Sequence, residues 1–268
     1  MHNIKLTLAY DGTDFHGWQV QRGQPTIQGA LTDVVRKLTG EKLTVHGAGR
    51  TDAGVHAAGQ VAHFKTQSEL TPAEFERAFN ALLPPAIRVL AAEEVGPEFH
   101  ARWQAQAKTY HYRIYRGRVV PPFEWRYVLH YPYPLDLPAM AAAAGEFEGE
   151  HDFTSFAASS GSEDDDRERT TSRVIYRSAV EVADDGHVIT YAIRGRSFLR
   201  YMVRKIAGTL LEVGRGKLSP ADIPRVLEMR DRSRSGPTVP PQGLCLVSVE
   251  YPDPAASLAR NVGPAGRR

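Results

Sequence analysis

One carboxylate stands by itself in the stretch Gly47-Ala48-Gly49-Arg50-Thr51-Asp52-Ala53-Gly54-Val55-His56-Ala57-Ala58-Gly59. Between Glu41 and Glu69 the chain has no acid but Asp52, and Arg50 precedes it by two residues. A neighbouring guanidinium favours the ionised carboxylate and fixes its orientation, the state that nucleophilic or general-base chemistry needs. The four glycines let the backbone turn tightly and let a bulky partner come close. The same residues would also serve a plain surface loop, with Asp52 capping a turn and Arg50 solvated. Glycine spacing does not separate the two readings, and there is no GxxxxGK[ST] phosphate loop. Two other groups could bear on chemistry. Arg196, Arg200 and Arg204 recur every four residues and read as one face of a helix. Like charges so spaced cost only a few tenths of a kcal/mol per pair, so they suit a solvated face as well as an anion. Tyr110 falls in a run where Tyr110, Tyr112 and Ile114 share one strand face and His111, Arg113 and Tyr115 the other. The histidines form no HExxH pair and Cys245 is the lone cysteine, so no metal is expected. No nicotinamide, flavin or nucleotide fingerprint is present, so no cofactor is expected.

The elements that must hold these residues follow from periodicity and end signals. Residues 3–10 alternate as a half-buried strand with Ile4, Leu6 and Leu8 on one face, and Asp11 to Asp14 turn the chain. Residues 27–38 carry an apolar helical stripe that Gly40 ends. Leu43–His46 and Gln60–Thr66 read as strands flanking the Asp52 loop. Thr71-Pro72-Ala73-Glu74 is a capping box that opens a helix to Leu83, and Ile87–Val95 is a further strand. The order βαββαβ is that of the ferredoxin-like unit shared by RNA-recognition motifs. The second half repeats it. A strand runs over Thr109–Tyr115 and a helix from Asp136 to about Phe147. A hairpin joins 172–183 to 187–195 across Asp184-Asp185-Gly186. A helix spans Phe198 to Val213, a short one begins at Ser219-Pro220-Ala221-Asp222, and a last strand runs from Leu244 to Tyr251. The predicted fold is therefore α+β, two ferredoxin/RRM-like βαββαβ halves with antiparallel sheets packed around a central basic cleft. The halves are 1–105 and 106–251, packed as one body, with a mobile loop at 158–170 and a loose tail over 252–268.

At 268 residues and 42% hydrophobic content the chain can bury one large core or two ordinary ones. A single cysteine fits a reducing compartment. The start has no apolar signal-peptide core and no run is long enough to span a bilayer, so a soluble cytoplasmic protein is expected. Net charge is only +2, but its distribution is uneven. Residues 99–123 hold Arg102, Lys108, Arg113, Arg116 and Arg118 with no acid. Residues 186–211 hold Arg194, Arg196, Arg200, Arg204 and Lys205 with none, whereas Glu163 to Asp166 form an acidic run. Segregation of this kind suits a face for a polyanion, since phosphate contacts add through counterion release.

GRTDAGVHAAGQVAHF closely resembles the signature of the TruA family of tRNA pseudouridine synthases. Further blocks agree in order: YDGTDFHGWQVQ (10–21), PTIQGAL (25–31), FHARWQAQAKTYHYRI (99–114), HDFTSF (151–156), GRSFLRYMVRKIAGTLLEVGRG (195–216) and PPQGLCL (240–246). The resemblance implies isomerisation of uridine to pseudouridine at positions 38, 39 and 40 of the tRNA anticodon stem-loop, by a homodimer. It implies Asp52 as nucleophile and Tyr110 as the active-site tyrosine, its ring stacked on a flipped-out base. Arg204, in MVRKIAG, matches an active-site arginine, paired with Asp52 or with phosphate. Arg50 and Arg204 would keep Asp52 ionised inside a cleft. Arg196 and Arg200 are then phosphate contacts, and Phe15 and Trp18 border the RNA cleft. The carboxylate has three openings: attack at C1′, attack at C6, or removal of the C2′ proton. Two other classes remain. A non-catalytic RNA-binding module would show an RNP1-type aromatic octapeptide, which is lacking. A nucleoside hydrolase would place a second carboxylate beside Asp52.

Overall fold

The computed structural model describes residues 1–158, 170–183 and 186–252. The acidic run 163–166, most of the expected loop 158–170, the turn residues Asp184 and Asp185 and the tail from Asp253 onward lie outside them. In the first half, β1 (His2–Tyr10) buries Ile4, Leu6, Leu8 and Tyr10 on one face. Helix α1 (Ile27–Thr39) opens where the Thr26 hydroxyl accepts the Gly29 N–H, and closes at Gly40 with φ +73°. β2 (His46–Gly47) and β3 (His56–Thr66) follow. Helix α2 (Pro72–Leu82) has the expected capping box between Thr71 and Glu74, and β4 (Ile87–Val95) ends the half.

The second half runs β5 (Ala107–Tyr115), β6 (Leu129–His130), α3 (Leu137–Gly145, capped by Asp136), β7 (Gly149–Asp152), β8 (Ser172–Val182) and β9 (Val188–Gly195). Helices α4 (Met202–Gly214) and α5 (Asp222–Met229) and strand β10 (Leu244–Glu250) complete it. The result is a mixed α+β fold with one ten-stranded, mostly antiparallel sheet in the order β4-β1-β3-β10-β5-β9-β8-β7. β2 adds to β3 and β6 to β5. α2 packs on β4, α3 on β8 and α4, and α4 on β5. One apolar core runs beneath both halves, from Ile4 and Phe64 to Tyr191 and Leu246.

The seam between the halves is narrow. β10 runs parallel to β3 through Cys245↔His56 and Leu246↔Ala57 only, and antiparallel to β5, where Leu246 pairs with Tyr110. Because β3 begins where the Asp52 loop ends, this seam carries the loop to the Tyr110 strand.

Three expectations change. The strand expected from Gln60 already begins at His56, so residues 56–59 leave the loop. The strand expected over Leu43–His46 shrinks to His46–Gly47, because the Gln28 side-chain amide donates to the Val45 carbonyl at 2.9 Å, where a neighbouring strand would otherwise bond. The helix expected from Phe198 starts at Met202. Tyr201 takes a left-handed φ of +65°, which a helix cannot include, and the Arg196 N–H is held by the Val174 carbonyl at 3.0 Å. The face of Arg196, Arg200 and Arg204 therefore does not exist, and only Arg204 is helical.

Candidate active site

The loop 48–55 is braced from below by the residues just after β1. The Trp18 and Gly54 N–H groups donate to the carbonyls of Thr51 and Phe15 at 3.0 and 3.2 Å, stitching the two turns together. Gly17, with φ +84°, sits so close that a Cβ there would fall 2.6 Å from the Thr51 carbonyl oxygen, so only glycine fits. Beneath the loop, the Tyr10 and Thr51 hydroxyls are 2.9 Å apart, and the Gln60 amide donates to the Gly49 carbonyl at 2.8 Å. Buried polar groups satisfied in this way fix one conformation, because breaking any bond leaves its partner desolvated. His56 closes the loop: its Nδ1 accepts the Gly12 N–H at 3.1 Å and its Nε2 meets the Arg126 carbonyl at 3.0 Å. Asp11 Oδ1 also lies 3.2 Å from Nδ1; burial lowers the His56 pKa, and Asp11 and the Arg126 carbonyl oppose that fall.

Asp52 and Arg204 come together from positions 152 residues apart. Arg204 Nη1 donates to Asp52 Oδ2 at 3.2 Å, with the carboxylate about 20% exposed and the guanidinium about 13%. The Arg204 Nε donates to the Val239 carbonyl at 2.8 Å, which aims the guanidinium at the loop. Desolvation raises the Asp52 pKa. The charge and hydrogen bond of Arg204, and then the charge of Arg200, pull it back only in part. A partly desolvated carboxylate facing a fixed cation is a stronger nucleophile and base than one in water, yet it still ionises.

Tyr110 lies on the β5 face directed to this site and is 7% exposed. Its ring meets the edge of Phe198 at 5.1 Å and 80°. Burial raises its phenol pKa, and the charge of Asp52 adds to the rise, so the two groups sense one another. Among the described residues its hydroxyl has no hydrogen-bond partner, leaving it open to a ligand. Tyr201 stands between two cations, with the Arg200 and Arg204 guanidinium groups 4.8 and 5.1 Å from its ring centroid. Arg200 also donates to its hydroxyl at 3.1 Å. A non-glycine residue held at positive φ stores strain, and Tyr201 carries it against the Arg204 that pairs with Asp52.

The remaining expected residues divide. Arg200 is exposed, off the helix, and its field reaches both Asp52 and Arg50. Arg196 is exposed on the turn after β9. Arg204 is the cation seen against Asp52, while burial and then the charges of Arg102 and Arg200 lower the Arg50 pKa. Phe15 packs half-buried on the core. Trp18 is 2% exposed and has no face to offer a base; it packs against Gly47 and Tyr10, the usual fate of an indole within a compact half. Tyr10, Gln60, Tyr201 and Val239 were not singled out from sequence. Only Tyr10 and Gln60 left a trace there, as polar residues at strand positions whose neighbours are apolar.

A family model described as tRNA pseudouridine synthase matches residues 7–104 and 143–252, so Tyr110 lies between the two matched segments. A tRNA pseudouridine synthase A from Solibacter usitatus is 49% identical over 251 residues, covering 94% of this chain and all of that one. The protein of the same name from Caldicellulosiruptor saccharolyticus is 45% identical over 251 residues with the same coverage. Among solved structures, the crystal structure of a Cbf5-Nop10-Gar1 complex aligns at a TM-score of 0.33 and 16% identity, over 78% of this chain and 45% of that one. That likeness is too slight to bear on the chain.

Proposed function

This chain belongs to the tRNA pseudouridine synthase family, an isomerase family acting on tRNA, and on that premise we propose that its targets are uridines of the anticodon stem-loop, at positions 38, 39 and 40, with Asp52 as the nucleophile. The reaction breaks the N1–C1′ bond, turns the uracil and joins C5 to C1′; the C5 proton leaves to solvent and N1 gains one. Nothing is oxidised and no group enters from outside, so one positioned carboxylate can begin it, by attack at C1′, attack at C6 or removal of the C2′ proton. The observation that carries this reading is the Asp52–Arg204 pair, formed across the two halves beside Tyr110.

Each residue then has a task. Arg204 opposes the desolvation that raises the Asp52 pKa and keeps one oxygen directed. The base must leave its stack to meet Asp52, and the Tyr110 ring receives it while the free hydroxyl contacts the ribose or passes a proton. Arg50, Arg200 and Arg196 draw the phosphates. The strand orders β4-β1-β3-β2 and β10-β5-β9-β8 support two ferredoxin-like halves, 1–105 and 106–251, around the cleft. We place the enzyme in the cytoplasm with its substrate, as a homodimer that lengthens the basic groove; among the described residues no helix is long and apolar enough to cross a membrane. The test is tritium release from C5-labelled uridine in tRNA. Asp52→Asn, which removes nucleophilicity at constant shape, is expected to abolish release while tRNA still binds. Substantial turnover by that variant would take Asp52 out of the nucleophile role.

A further inference from the structure

Outside the Asp52 pocket a large aromatic with organised surroundings is exposed at Trp103, 62% accessible near the end of the first half. Its indole is not loose. The Arg102 guanidinium lies 5.0 Å from its centroid, and the His100 ring lies 5.4 Å away at a shallow 32°. His100 Nδ1 accepts the N–H groups of Arg102 and Trp103 at 3.2 and 3.4 Å, which fixes the turn. Behind it, His63 touches His100 at 4.6 Å, and its own Nδ1 accepts the Ala101 N–H at 3.2 Å. His46 stacks on His63 at 5.1 Å. The Nδ1 atoms of His63 and His100 serve the backbone, and among the described residues no group of three His, Cys, Asp or Glu is arranged to hold a metal ion. The cluster therefore reads as a scaffold that presents an indole face to solvent.

We propose that Trp103, flanked by Arg102 and His100, is a stacking platform for an unpaired nucleobase of the RNA substrate, beside the Asp52 loop and separate from the pocket that takes the target base. This rests on the reading that the substrate is RNA. Charge selects the partner. The neighbours whose fields reach His100 are His46, Arg102 and Lys65, all basic, and the Arg102 field reaches Arg50, two residues before Asp52. A phosphate fits there, whereas a basic protein surface would be repelled and a purely apolar one would leave the cations stranded. An exposed indole with a guanidinium on it suits any base, since every base has a π-face, and it holds RNA without reading sequence. Its place is also chemically useful. Turning one uridine out of a stem-loop strips its neighbour of a stacking partner, and an aromatic face at the pocket's edge replaces it.

Trp18 is buried and Trp125 exposed, so the Trp125→Phe protein leaves Trp103 as the indole that a ligand can reach. In that background, titration with a short single-stranded oligouridylate and with tRNA should quench fluorescence saturably. Trp103→Ala, with tRNA binding followed by filter retention, should weaken affinity by about tenfold or more, and Trp103→Phe should recover most of it. The loss is expected in KM. Fluorescence unmoved by either RNA, unchanged affinity in Trp103→Ala, or a change that follows protein concentration alone, as a second copy covering the face would give, overturns the platform. Because oligouridylate binding does not depend on turnover, an active Asp52→Asn protein with intact quenching would remove the catalytic reading and leave the platform standing.

Discussion

At the scale of single residues, desolvation and Arg204 oppose each other on Asp52, and desolvation wins. The sign of the pH dependence follows. A carboxylate whose folded pKa is raised favours the protonated state, so its contribution to stability is present below the unfolded value and is lost as pH rises through the folded one. Activity that needs the ionised form runs the other way and falls as pH drops through the raised pKa. Arg204→Met removes the cation that limits the rise, so the acid limb of the turnover-against-pH profile should move to higher pH, and Arg204→Lys should move it back in part. A limb that stays in place in Arg204→Met would mean that the pair does not control the carboxylate. Tyr110 offers a second test. Its ring is packed on Phe198 and its hydroxyl makes no hydrogen bond among the described residues, so Tyr110→Phe should keep fold and tRNA affinity. If the hydroxyl moves a proton, turnover should fall by about 10²–10⁴-fold. A fully active variant would leave only the ring with a part in catalysis.

At the scale of elements, Arg204 depends on the fit between α4 and the segment before β10. Gly208 faces that segment inside α4, and a Cβ there would lie 1.9 Å from the Pro237 carbonyl oxygen. The Thr209 hydroxyl accepts the Gly236 N–H at 2.8 Å, and Lys205 donates to Ser235 at 2.6 Å, so the segment is tied to the helix along its length. It ends at the Val239 carbonyl that orients Arg204. On a solvated helix face, Gly→Ala would stabilise by about 1 kcal/mol. Here backbone meets backbone, and overpacking should cost about 1–3 kcal/mol or more. Gly208→Ala should therefore lower the melting temperature, and it should depress turnover further than the lost folded fraction explains, because Val239 must shift. A more stable, fully active variant would show that the segment moves freely.

At the scale of the whole molecule, net charge of +2 supplies little attraction, so binding must come from where the cations sit. The charges of Arg102 and Arg200 both reach Arg50, two residues before Asp52. A two-fold dimer would extend such a face along a tRNA without new sequence. tRNA affinity should fall steeply and linearly on a log–log plot against salt, by close to one unit of slope per phosphate contacted. Sedimentation at working concentration should give a dimer. A monomer that modifies tRNA at full rate would defeat the cross-subunit part of the proposal.

Local signals carried the elements. The Thr71–Glu74 capping box, the Asp136 cap, Gly40 and the alternation of Ile4, Leu6 and Leu8 all act within a few residues of chain, and they stand where the pattern put them. The sequence also isolated Asp52, since the lack of other acids for many residues on either side is visible without a fold. By spacing alone it offered only Arg50 to that carboxylate; Arg204 came from the family resemblance, with phosphate as the other option. Arg50 is two residues away and Arg204 is 152, but proximity is set by the seam of β3, β10 and β5, which no local pattern reports. The start of α4 failed for a related reason: an arginine every four residues is compatible with a helix but does not require one, and tertiary contacts hold Tyr201 at positive φ. Trp18 went to the core because neighbours from other elements close over it. Periodicity determines which face of an element is apolar; only packing between distant segments determines which polar groups end up facing each other in a desolvated place, where chemistry becomes possible.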